Sequence, residues 1–172
     1  MTSQVDFRRI GKNHEHLFLS ADKKGGYTAV NAGFGPARTG KRNRTDISMQ
    51  IWFVLAAING FLAVAFGAFG AHGLAARPPA DLAAFKTGAD YHMYHALALF
   101  AVGWFAANAP SLPNMLAGIG FLAGILLFSG SLYFLGITGS RSLVIITPIG
   151  GVAFLAGWAC LAWTAWKSQT GA

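Results

Sequence analysis

The chain is poor in the residues that most function classes need. Among 172 residues there is a single cysteine, Cys160, and only six acids. One cysteine excludes an intrachain disulfide and a cysteine-built zinc site. Charged residues make up 11% of the chain, less than half of what a soluble domain of ordinary composition carries. Charge is missing altogether from three long intervals: residues 47–76, 91–140 and 142–166 contain no Asp, Glu, Lys or Arg. The motifs of nucleotide hydrolases, serine hydrolases and zinc peptidases (a Walker loop, GxSxG, HExxH) are absent as well, and no nucleophile has a base at motif spacing. No acid lies within an apolar interval, which argues against proton-coupled transport.

What is present is apolar, 54% hydrophobic before its 22 glycines are counted. A bilayer crossing takes about 20 mostly apolar residues, and lipid forces each crossing to be helical because the backbone must satisfy its own hydrogen bonds. The first and third uncharged intervals fit one crossing each. The middle one fits two, parted by Asn108-Ala-Pro-Ser-Leu-Pro-Asn114. The expected architecture is an all-α, multi-pass membrane protein whose four transmembrane helices, near 51–74, 91–107, 115–136 and 144–166, form a compact bundle. The four-helix domain covers residues 49–168.

Residues 1–48 carry nine of the 13 basic residues and four of the six acids, hence five of the seven net positive charges. They show no sustained periodicity and are expected to be a basic, disordered tail. Met49, directly before the first span, offers an alternative start that would make the tail an extension. Orientation depends on that choice. With the tail, the positive-inside rule favours cytoplasmic termini; from Met49 the count reverses. The high pI belongs to the tail and gives no reason to expect a nucleic-acid partner, since no aromatic residues interleave the basic cluster 38–44.

Small residues mark seams between membrane helices, because association in lipid relies on close van der Waals contact. The expected seams are Gly60, Gly67 and Gly70 in the first span, Gly120 and Gly124 in the third, and Gly150 and Gly157 in the fourth; the same stripes could serve self-association. Cys160 belongs to a seam. Trp52, Trp104, Trp163 and Trp166 are expected to form an aromatic belt at one interface, with Tyr91, Tyr94 and Tyr133 at the other.

Polar side chains gather toward one end of the expected bundle: His72, Tyr91, His95, Ser129, Tyr133 and Thr147, with His92, Tyr94 and Ser131 beside them. Asn59 alone lies deep in the opposite half. The cluster either caps and locks the helices or forms a ligand site. His92 and His95, three apart, could hold a metal or haem with His72, but no Cys, Asp or Glu completes the set within the spans. No metal or other cofactor is expected. Pro148 in the first turns of the fourth span, followed by Gly150-Gly151, marks a packing corner or a hinge.

Four stretches carry a resemblance: Gly67-Ala-Phe-Gly-Ala-His72; Thr87-Gly-Ala-Asp-Tyr91 leading to His95-Ala-Leu-Ala; Leu127-Phe-Ser-Gly-Ser-Leu-Tyr133; and Thr147-Pro-Ile-Gly-Gly151 running on to Phe154-Leu-Ala-Gly-Trp158. Together, over residues 49–166, the chain resembles the small bacterial inner-membrane proteins of domain-of-unknown-function family 423. The resemblance implies a compact multi-pass helical protein without an assigned biochemical role. Its pattern includes His72, Tyr91, His95, Ser129, Tyr133 and Thr147-Pro148 and does not require His92. The expected function is non-enzymatic: interaction, assembly or membrane homeostasis in the bacterial inner membrane, with the lipid bilayer and either a second copy or other membrane proteins as partners. An oligomeric small-solute channel or transporter component is the alternative, and a haem- or metal-binding module a third.

Overall fold

A computed structural model describes residues 17–21, 27–31 and 44–170. It divides the chain into two units, Met1–Lys41 and Arg42–Ala172. In the first, β1 (Leu17–Ala21) and β2 (Tyr27–Asn31) pair antiparallel, Leu17 opposite Asn31 and Ala21 opposite Tyr27. Leu, Phe, Tyr, Val and Thr suit a strand, and the Lys23-Lys-Gly-Gly26 stretch between the strands is turn-forming in composition. The expectation of a structureless tail therefore does not extend to these ten residues; the rest of residues 1–43 lies outside the described residues.

The described residues of the second unit form helices joined by short turns. α1 (Arg44–Gly73) leads through a short turn to α2 (Pro79–Asn108). α3 (Leu112–Gly124) runs through a π turn (Ile125–Ser129) into α4 (Gly130–Thr138), so these three pieces form one continuous rod. A 3-10 turn (Val144–Ile146) precedes α5 (Thr147–Thr170). The boundaries have local causes. Pro78 and Pro79 start α2, where a missing N–H costs nothing. Ser111 caps α3 by accepting a hydrogen bond from the Asn114 N–H. Gly139, at φ 73°, closes α4 in the left-handed conformation with its N–H on the Leu135 carbonyl.

Three helical segments are long and apolar enough to cross a membrane, Asp46–Gly73, Leu112–Thr138 and Val144–Thr170, where four were expected. The exception is α2. It has 30 residues, but its Tyr91-His-Met-Tyr-His95 run lowers its hydropathy. The same helix is the centre of the bundle, packed against α1, α3, the π turn and α4, while α5 packs on α3 and the π turn. Phe85, Leu99, Val102 and Phe121, three of them from α2, are fully buried.

The seams are only partly those expected. Gly70 is covered by the Phe85 ring, Gly124 by Phe154 and Gly157 by Phe121; Gly120 faces the Ala153 carbonyl and the Gly157 Cα; and Gly150 lies against the Phe128 backbone. Gly60 and Gly67 do not belong to a seam: nothing lies within 4 Å of where their side chains would start, because the side of α1 facing α2 is formed by Ala56, Ala63 and Gly70. Gly88, Gly118 and Gly136 were not anticipated and do mark close approaches, Gly118 under the Trp52 ring and Gly136 under Phe85. Trp52 is thus buried in the core rather than part of an interfacial belt, whereas Trp104, Trp163 and Trp166 are exposed.

Candidate functional site

α2 places two histidines three residues apart, which points them to adjacent sides of one helix. His92 turns toward α1 and α4. Its Nε2 lies 3.1 Å from Asn59 Oδ1 and its Nδ1 3.1 Å from the Tyr133 hydroxyl. Asn59 Nδ2 donates to the Leu55 carbonyl at 2.8 Å, so its Oδ1 is an acceptor. His92 therefore carries its proton on Nε2, donates to Asn59, and accepts from the Tyr133 O–H through Nδ1. Phe66 covers the assembly, stacked 4.5 Å from the Tyr133 ring.

His95 turns toward α3 and α5 and takes the opposite tautomer. The Trp158 indole N–H donates to His95 Nε2 at 3.2 Å, so the proton sits on Nδ1, which donates to the Tyr91 carbonyl at 2.7 Å. The ring lies flat on Phe154, with centroids 3.4 Å apart and planes within 9°. Both histidines are buried, and every ring nitrogen has a partner from another residue.

The other expected cluster members are distributed unevenly. Tyr133 joins His92, and Tyr91 packs beside His95. Thr147 pairs with Ser131 at 2.7 Å; since the Ser131 hydroxyl donates to the Phe128 carbonyl at 2.8 Å, Thr147 donates to Ser131. Ser129 is fully buried and its hydroxyl has no hydrogen-bond partner among the described residues. His72 is exposed at the end of α1 and joins neither histidine. Gly70 sits at the level of Phe85, about 10 Å along α2 from His92. The three rings do not converge, and the described residues contain no group of three or more potential metal-ligating side chains.

The depth of the cluster also differs from expectation. α2 begins at Pro79, about 18 Å before Tyr91, and Asn59, midway along α1, meets His92. Asn59, His92 and His95 thus lie in the middle of their helices, whereas Thr147 begins α5 and His72 lies in the last turn of α1. Pro78-Pro79 was the available signal, a helix start that the nearby charges of Lys86 and Asp90 obscured. Those two form an exposed ion pair at 2.8 Å on the outer side of α2. Asn59, His92 and Trp158 are the site residues that sequence reasoning undervalued or missed.

Beside His95 the bundle opens into a groove of about 700 Å³ between α2 and α5, within the size range of small-molecule sites. Tyr91, Tyr94 and His95 form one wall, and Val152, Leu155 and Trp158 are on the other. Phe128 and Phe154 lie between, with Tyr91 4.7 Å from Phe128 and Phe128 5.6 Å from Phe154. The π turn supplies Phe128. A π turn adds one residue to the helical repeat, and such turns recur at functional sites.

A helical bundle with several membrane-compatible rods and a centrally placed polar helix defines a class, integral membrane proteins, and comparison with known proteins narrows it. The profile of the family described as "Protein of unknown function (DUF423)" matches residues 66–151. The UPF0382 membrane protein YwdK of Bacillus subtilis (strain 168) is 49% identical over 112 residues, covering 64% of this chain and 91% of the relative. A UPF0382 membrane protein of Haemophilus influenzae is 44% identical over 120 residues, 69% of this chain and 96% of the relative. The UPF0382 inner membrane protein YgdD of Escherichia coli (strain K12) is 37% identical over 116 residues, 67% and 88%. The chain belongs to this family of membrane proteins. No solved structure matches it.

Proposed function

We propose that the chain is a four-span protein of the bacterial inner membrane, α2 being the fourth crossing, and that it acts by binding a membrane component rather than by conduction or catalysis. The observation that carries this reading is the contrast between a filled interior and an open flank. Phe85, Leu99, Val102 and Phe121 are fully buried within the bundle, leaving no lumen among them. Both histidines spend their hydrogen-bonding capacity within the bundle, His92 on α1 and α4 and His95 on the Tyr91 carbonyl of its own helix and on Trp158 of α5. Polar groups used this way tie membrane helices together. An open feature, the groove beside His95, lies on the flank that would face lipid. An α2 that crosses the bilayer at the centre of the bundle directs His92 and His95 at other helices, the usual disposition of polar residues at membrane depth.

Topology tests the reading. In a Cys160→Ala background, single cysteines at Ala80 and Ser140 are expected to label from one side of the membrane, and those at Ser111 and Ser168 from the other. Ala80 and Ser111 labelling from the same side would remove α2 as a crossing. Reconstituted protein is expected to pass no small solutes, and solute flux dependent on the protein would overturn the binding reading.

A further inference from the structure

We infer that the groove between α2 and α5 is a binding site for one neutral isoprenoid lipid with a flat, carbonyl-bearing ring, the quinone class. The inference rests on the reading of α2 as a bilayer crossing, since the groove then opens to hydrocarbon. Its α5 wall runs from Pro148 to Trp158, about 15 Å of helix, or half the roughly 30 Å hydrocarbon core. That is the depth of one leaflet, the space of a single lipid chain.

The chemistry of the walls narrows the occupant. No charged residue lines the groove, and an anionic headgroup would call for Lys or Arg. Lys86, on the same helix, is held by Asp90. What the groove does offer are two phenols. Tyr91 and Tyr94 stand side by side with ring centroids 6.0 Å apart; both are exposed, and neither hydroxyl is engaged in a hydrogen bond among the described residues. Phenols donate to carbonyl oxygens. Next to them Tyr91, Phe128 and Phe154 form an aromatic surface on which a planar ring can lie. Beyond the ring, Val152 and Leu155 provide an apolar track for a tail. Gly151 opens that track: a Cβ there would meet only Phe128, at 3.9 Å.

The test is equilibrium binding of a benzoquinone bearing one isoprene unit to the detergent-purified full chain, read by quenching of tryptophan fluorescence and by dialysis. Dioleoylglycerol and phosphatidylglycerol serve as competitors. Saturable binding of one quinone per chain is expected. Gly151→Leu, which fills the track, should weaken it about tenfold or more, and Tyr91→Phe by a few-fold, each converted as a ratio of dissociation constants. Gly60→Leu, the same bulk on the open side of α1, should leave it unchanged. If Gly151→Leu does not fold, Val152→Trp replaces it, since Val152 is exposed. Absence of saturable binding, equal binding by the filled variant, or displacement by either competitor at equal concentration would overturn the assignment. A failed binding assay with the expected labelling pattern sinks the site alone; a labelling pattern in which α2 does not cross sinks the four-span reading itself.

Discussion

The two sides of α2 use the same residue type in different ways. On the His92 side, imidazole, amide and phenol from three helices form a chain, Tyr133 to His92 to Asn59 to the Leu55 carbonyl. On the His95 side the imidazole is satisfied by its own helix and by one indole, and its flat face stacks on Phe154 at the edge of an open groove. The difference lies in what stands opposite. α1 and α4 close on His92, whereas α5 is held back from α2 by α3 and the π turn, so the space beside His95 is bounded by rings instead of filled by a helix. Two histidines three apart therefore signal neither a metal pair nor a shared role. One locks the bundle, and the other shapes a recess.

The comparison can be broken most forcefully at the spacing that keeps the recess open. A methyl group at Gly150 would run into the Phe128 backbone, which cannot move aside as a side chain can. Gly150→Ala is therefore expected to cost about 3 kcal/mol in equilibrium unfolding in mixed micelles. Gly151→Ala, one residue on, meets only the edge of Phe128 and should be neutral or stabilising by up to about 1 kcal/mol, the helix preference of alanine over glycine. Equal losses at the two positions would contradict the packing described.

Next in size is the His92 network. His92→Ala removes two interhelical hydrogen bonds, each worth about 0.6 kcal/mol and at most about 1.7 in membrane proteins, and leaves a cavity, for an expected loss of about 2–3 kcal/mol. Paired with Tyr133→Phe in a double-mutant cycle, it should show about 0.5–1.5 kcal/mol of coupling; strict additivity would mean that the hydrogen bond contributes nothing. On the other side, Trp158→Phe removes one bond from a half-exposed ring and should cost about 1 kcal/mol or less. A larger loss than at His92 would invert the assignment of lock and recess.

The smallest effect is expected at Ser129. Its buried hydroxyl lacks a partner among the described residues, so Ser129→Ala should change stability by less than about 1 kcal/mol, with the sign toward stabilisation. A clear destabilisation would reveal a bound partner at the π turn.

Much of the helical layout was legible in the chain. The first, third and fourth expected spans fall on α1, on the α3–α4 rod and on α5, because uncharged stretches of bilayer length leave few alternatives. The start of α2 was misplaced by twelve residues because Lys86 and Asp90 read as loop, although a helix can carry an exposed ion pair on its outer side. The site was legible as a set of residues and not as an arrangement. His72 shares a motif with the cluster yet lies outside it, whereas His92, which the family pattern does not require, is hydrogen-bonded to two other helices. Gly60 and Gly67 share a sequence stripe with Gly70, but only Gly70 is covered. Periodicity reveals which residues share a side of a helix; it does not reveal which neighbour covers that side. In lipid the inner and outer sides are both apolar, so the contrast that usually separates them is weak.

What the chain determined by itself is that residues 44–170 fold as apolar helices joined by short turns, because backbone hydrogen bonds in a helix are satisfied locally and proline, serine and glycine set the ends wherever they stand. The tertiary structure alone decided that the two histidines adopt opposite tautomers, that Trp52 is core and not belt, and that a groove opens beside His95. Each of these depends on which helices stand opposite and at what distance, and that distance is set by contacts such as Gly150 on Phe128, between residues remote in sequence.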